Sequence, residues 1–257
     1  MSLFPKFFTA AAIATALAMG ASAAMAGPYS ARWGSGPTTV EREINPLSYD
    51  NGGGNFRTAA QYYSYASPNF ASANTPDNLE RANTATLFLY NDQSGGLSLF
   101  HIYDVPFDAD GSSGNLSITS TGLGGTGQSV IVRDDPGDSS FVWNDATGSA
   151  NISFSSTSCC TDGFVIGLLP DGSTDSWSIN TQYISLNGID QFDIVTLRDP
   201  FTSQGARVID RFSIAANQIN SLEFVRTGET VVEVSEPAGL LFPIAALGLL
   251  AMRRRIR

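Results

Sequence analysis

The middle of this sequence predicts an all-β fold, an antiparallel β-sandwich or jelly-roll-like domain, and three observations carry the prediction. From Thr84 onward short strand-like runs recur, several of them alternating, as in Leu97-Ser98-Leu99-Phe100-His101-Ile102 and Asn151-Ile152-Ser153-Phe154. A period of two sends successive side chains to opposite faces of a sheet. Turn chemistry separates the runs at Asn91-Asp92-Gln93-Ser94-Gly95-Gly96, Asp110-Gly111, Asp171-Gly172 and Asn187-Gly188, where Gly, Asn and Asp tolerate the backbone angles of tight turns. Helical periodicity is nearly absent, its best instance being a turn at Ala215-Ala216-Asn217-Gln218-Ile219, and no repeat of solenoid or propeller length occurs.

Taken in order, residues 1–26 read as a secretory signal peptide. Lys6 precedes an alanine-rich apolar run from Phe7 to Met19, and Ala24-Met25-Ala26 offers a small-residue cleavage site before Gly27-Pro28. Residues 27–83 are rich in Gly, Asn, Ser and Pro, and 38–44 is the one clear strand candidate among them. The tyrosines at 62, 63 and 65 are expected to pack on the core, with stacking on sugars as the other use of such rings. Residues 84–234 form the main β domain, with strands expected at 84–90, 97–103, 115–119, 128–133, 139–143, 150–154, 164–168, 176–179, 191–197, 206–214, 222–226 and 230–234. The length suits a single β domain of about 200 residues.

The end of the chain has its own layout. Val234-Ser235-Glu236-Pro237 precedes an apolar run from Ala238 to Met252, and Arg253-Arg254-Arg255-Ile256-Arg257 closes it. As a helix the run spans about 22 Å, against a hydrocarbon core of roughly 30 Å. Terminal arginines favour the cytoplasmic side, so the chain before them lies outside. This tripartite tail, residues 235–257, resembles the PEP-CTERM sorting signal of exopolysaccharide-producing Gram-negative bacteria. Glu236-Pro237 matches the last two positions of its Pro-Glu-Pro motif, Ser235 stands where the first proline is expected, and Arg253, Arg254 and Arg255 supply the basic cluster. The resemblance implies transient inner-membrane insertion, processing by an exosortase-type enzyme, and delivery to the cell surface or extracellular matrix. It covers only the last two dozen residues, and an uncut C-terminal anchor is the other reading of the layout.

Charge narrows the partners. The chain carries 14 basic and 24 acidic residues; setting aside Lys6 and the four terminal arginines leaves nine basic against 24 acidic between residues 27 and 237, a net −15 with no lysine. Such a field repels nucleic acid and anionic headgroups and suits divalent cations or neutral polymers, or serves solubility alone.

Two internal features suggest sites. Asp134, Asp135 and Asp138 share one turn, and Asp162 follows the next, offering the hard oxygen ligands calcium prefers. Asp108-Ala109-Asp110-Gly111-Ser112 opens like an EF-hand loop but lacks its later ligands. Cys159 and Cys160 are the only cysteines and are adjacent. In an oxidising compartment an intramolecular disulfide between them is expected; a strained ring of this kind rigidifies a turn more than it restricts the unfolded chain. Buried thiols and a bridge between molecules are the alternatives.

Catalysis is disfavoured. His101 is the single histidine, no G-x-S-x-G elbow supplies a serine, and a His-rich metal site is excluded by count. A paired-carboxylate glycoside hydrolase is the surviving enzyme alternative. The reading is therefore a secreted, envelope-sorted, non-catalytic β protein of the extracellular polysaccharide or biofilm matrix, structural or adhesive. Its competitor is a carbohydrate-binding module stacking sugars on Tyr103, Trp143 or Trp177.

Overall fold

Two sheets face one another in the computed structural model, which describes residues 29–34, 38–49, 57–64, 73, 75–92, 96–105, 111–134, 140–155, 161–172, 175–198 and 209–228. The N-terminal part contributes β1 (Tyr29–Trp33), β2 (Val40–Glu43) and the short helix α1 (Ala59–Tyr63). The main part contributes β3 (Thr84–Asn91), β4 (Leu97–Tyr103), β5 (Ser113–Thr121), β6 (Ser129–Arg133), β7 (Ser140–Phe141), β8 (Ser149–Ser155) and β9 (Asp162–Leu169). After these come β10 (Trp177–Asn187), β11 (Gln191–Leu197), β12 (Ile209–Ala215) and β13 (Ser221–Arg226). One sheet has seven strands in the order β2-β1-β13-β10-β5-β8-β7, the other six in the order β12-β11-β3-β4-β9-β6. The all-β expectation holds, but the arrangement is mixed and not purely antiparallel: β11 pairs with β3 in parallel, Gln191 opposite Thr84 through Ile194 opposite Leu87, and Leu47 makes an isolated parallel bridge to Tyr90. The signal peptide, the expected strand at 230–234 and the tail at 235–257 lie outside the described residues.

Alternation builds the core between the sheets. Leu116, Ile118, Ile152, Phe154, Ile179, Leu222 and Phe224 from the larger sheet meet Leu87, Leu89, Leu99, Phe164, Ile166, Phe192 and Ile194 from the smaller. Each such side chain contributes roughly 1.5–3 kcal/mol on burial. Aromatic pairs bridge the gap, with ring centroids 4.1 Å apart for Tyr103 and Phe154 and 4.7 Å apart for both Phe141–Phe164 and Tyr183–Phe192.

The smaller sheet is covered on its outer face too. Phe88, Tyr90, Phe100 and Ile102 lie under Leu47, Tyr62, Tyr63, Ala73 and Leu79, so β3 and β4 are buried nearly throughout. Tyr62 stacks on Tyr90 at 4.5 Å, and Phe88 on Phe100 at 4.6 Å. The tyrosines at 62 and 63 are thus core residues. Helix α1 starts at a reciprocal cap, Thr58 Oγ1 accepting from the Gln61 N–H and Gln61 Oε1 accepting from the Thr58 N–H. A Thr-x-x-Gln box of this kind satisfies two otherwise orphaned donors.

Register defines two ends of the sandwich. Tyr29 lies opposite Arg226, and Arg226 opposite Trp177, so the first and last described strands share one end with the 170–176 connection. At the other end Tyr103 lies opposite Asp162, Arg133 opposite Phe164, and Ser113 opposite both Ser155 and Asn187.

Candidate functional site

Three of the sequence-predicted site residues come together at the second end, because β4 finishes there at Tyr103, β6 finishes just before Asp134, and β9 begins at Asp162. The Asp134 N–H donates to the Gly163 carbonyl at 3.0 Å, and the buried Asp134 carboxylate accepts from the Tyr63 hydroxyl at 2.7 Å. Burial, followed by the Asp134 charge, holds the Tyr63 hydroxyl well above its ordinary range, so it stays a proton donor. A Cβ at Gly163 would run into that hydroxyl, which shows Gly163 facing outward towards Tyr63. Asp162, one residue earlier and opposite Tyr103, therefore faces the inter-sheet core. Thr161 faces outward again, its hydroxyl accepting from the Ala73 N–H at 2.7 Å. The two described aspartates of the calcium expectation are thus directed to opposite faces of the sheet. Asp135, Asp138, Cys159 and Cys160 lie outside the described residues. Among those described, no group of three or more His, Cys, Asp or Glu is placed to hold a metal.

Beneath this end runs a buried polar chain. His101 is fully buried, stacks on Phe164 at 4.4 Å, and sets Nδ1 3.0 Å from the Tyr103 hydroxyl. Burial pulls its pKa down to about 3, which keeps the imidazole neutral. The Tyr103 hydroxyl is pushed well above its ordinary range by burial first and by Tyr183 and Asp162 next. Tyr183 is likewise raised by burial, with the Tyr103 hydroxyl beside it acting in the opposite direction.

Two sugar-stacking expectations are corrected here. Tyr103 is wholly buried between the sheets, and Trp177 is 3% exposed with its indole N–H donating to the Pro170 carbonyl at 2.8 Å. Neither ring offers a face to a ligand in solvent, because both sit at inward positions of their strands. Trp143 is only partly buried against the core, and Val142 beside it is 75% exposed.

Sequence reasoning missed two charged hubs. Asp193, fully buried, accepts from Gln191 Nε2 and Ser213 Oγ at 2.7 Å each and pairs with Arg211 at 3.2 Å and Arg81 at 3.5 Å. An acid inside the apolar run Phe192-Asp193-Ile194-Val195 was its signal. Arg226, 3% exposed, donates to the carbonyls of Gly172, Asp175 and Asp171 and lies over the Tyr29 ring, 5.6 Å from its centroid. Tyr29 in turn donates to Asp171. These contacts fasten Asp171, Gly172 and Asp175 to β1 and β13.

No family model matches the chain, and no curated protein matches it. Among solved structures, an uncharacterized protein from Nocardia farcinica with an immunoglobulin-like fold is similar at 12% identity, over 52% of this chain and 99% of that one, with a TM-score of 0.24.

Proposed function

We propose that this is an exported, envelope-sorted β-sandwich protein without catalysis, acting as a structural or adhesive component of the extracellular polysaccharide matrix of a Gram-negative bacterium. The observation that carries the reading is the pairing of Tyr29 with Arg226. The described chain enters and leaves the sandwich side by side, an arrangement that suits a domain carried at one end by a C-terminal tail. The signal peptide and the Glu236-Pro237 tail supply the route, and an exosortase-type enzyme is its partner. Burial of His101 supports the non-catalytic reading, since the one histidine is sealed from any substrate in solvent. Fractionation tests the route: changing Glu236 and Pro237 to alanine is expected to leave an uncut precursor in the inner membrane. Normal release of that variant contradicts it.

Carbohydrate binding is the second reading, favoured by Trp143 next to exposed Val142. It predicts a change in tryptophan fluorescence with the producer's own polysaccharide that disappears in Trp143→Phe; a matrix scaffold predicts no change. Calcium at the acidic turns belongs to either reading, and predicts melting that rises with calcium but not with sodium at matched ionic strength.

A further inference from the structure

Two side-chain atoms within the sandwich, His101 Nε2 and Thr181 Oγ1, are buried and have no protein hydrogen-bond partner, and the buried Tyr183 hydroxyl nearby has the Tyr103 hydroxyl beside it. They belong to one neighbourhood. Tyr103 links two of them, touching His101 Nδ1 at 3.0 Å and standing beside the Tyr183 hydroxyl. Thr181 is two residues before Tyr183 on the same inward face of β10, and His101 is two residues before Tyr103 on the inward face of β4. One pleat repeat of about 7 Å therefore separates the members of each pair along its strand. Tyr183 packs on Phe192, which lies opposite Ala85, itself opposite Tyr103, and His101 and Thr181 each lie one repeat back from those tyrosines towards the Arg226 end.

The chemistry leaves a donor or an acceptor open whichever tautomer His101 adopts. If Nδ1 accepts the Tyr103 proton, Nε2 carries a hydrogen with nowhere to go; if Nδ1 donates, Nε2 is a bare lone pair. Thr181 and Tyr183 can each donate or accept. Such groups are not left dry in native interiors without a cost in stability. We infer that a hydration site lies between the sheets, in which a resident water bridges His101 Nε2 and the hydroxyls of Thr181 and Tyr183. Water fits because it donates and accepts at once and binds through two to four polar partners. The cross-strand neighbours of His101, Leu87 and Phe164, and those of Thr181, Ile118 and Leu222, are all buried apolar residues.

Oxygen-17 magnetic relaxation dispersion on the native exported protein tests the site. A slowly exchanging water is expected in the parent protein, and its contribution should fall in both Thr181→Val and Tyr183→Phe, which keep shape and remove only a hydroxyl. Absence of any slow water in the parent, or an undiminished contribution in both variants, overturns the inference. Thermal unfolding of Thr181→Val adds a second readout. A hydrated hydroxyl predicts a lower Tm, whereas a dry, unsatisfied one predicts an unchanged or higher Tm on its removal.

Discussion

His101 stacks on Phe164, the residue opposite it across the β4–β9 ladder, with ring centroids 4.4 Å apart and planes within 17° of parallel. An imidazole held this way in an apolar interior is a neutral packing group, and the consequence is a pH dependence of folding with a definite sign.

The folded pKa of His101, about 3, lies below the ordinary value of 6.5, so the unfolded chain binds its proton first as pH falls. The stabilisation is full above pH 6.5 and is lost progressively from there down to about pH 3, at a slope approaching about 1.4 kcal/mol per pH unit from this one group. Urea midpoints between pH 7 and pH 4 check this. His101→Phe, which keeps a ring on Phe164, is expected to flatten the profile; an equal slope in the variant contradicts the assignment.

Gly163 sits where the β4–β9 ladder meets the Tyr63 hydroxyl of α1. A Cβ there would stand 2.5 Å from the His101 carbonyl oxygen and closer still to the Tyr63 hydroxyl. Gly163→Ala should therefore cost about 1–3 kcal/mol, the scale of forced overpacking. Chemical denaturation measures it, and an unchanged midpoint means the sheet and its cover are not in register as described.

Arg226 fastens the end where the described chain enters and leaves. Arg226→Ala removes the donors to three carbonyls and the partner of Asp171, and should cost about 3 kcal/mol, as for breaking a buried charged contact. For a domain of this size that is a fall in Tm of roughly 6–12 °C. Arg226→Lys should recover only part, because an ammonium lacks the planar fork that reaches several carbonyls together. Full recovery by lysine would show that charge alone is at work.

The strands were legible where alternation or an apolar run met a turn. The runs expected at 97–103 and 191–197 are β4 and β11, and the turn at 215–219 is a 3-10 turn over Ala216–Gln218. β10 runs on to Asn187, beyond the end expected at 179, because a strand whose far half lies open to solvent loses the apolar pattern. β1 was missed, since Tyr29-Ser30-Ala31-Arg32-Trp33 owes its strand to long-range pairing with β13 and β2. The parallel β3–β11 pair was equally invisible, because partner choice between distant strands leaves no local mark. Of the candidate sites, alternation placed Tyr103 and Trp177 on their strands but could not say which face was buried. For β4 both faces are covered, by the second sheet and by the tyrosines of α1.

Mass spectrometry of the native protein recovered from the cell exterior tests the central claim most directly, because one spectrum reports both termini and the cysteine state. The account predicts a chain that begins at Gly27, has lost Arg253, Arg254 and Arg255, and carries Cys159 and Cys160 oxidised to each other without a link between molecules. An exterior protein that retains the full tail to Arg257 would contradict sorting by processing.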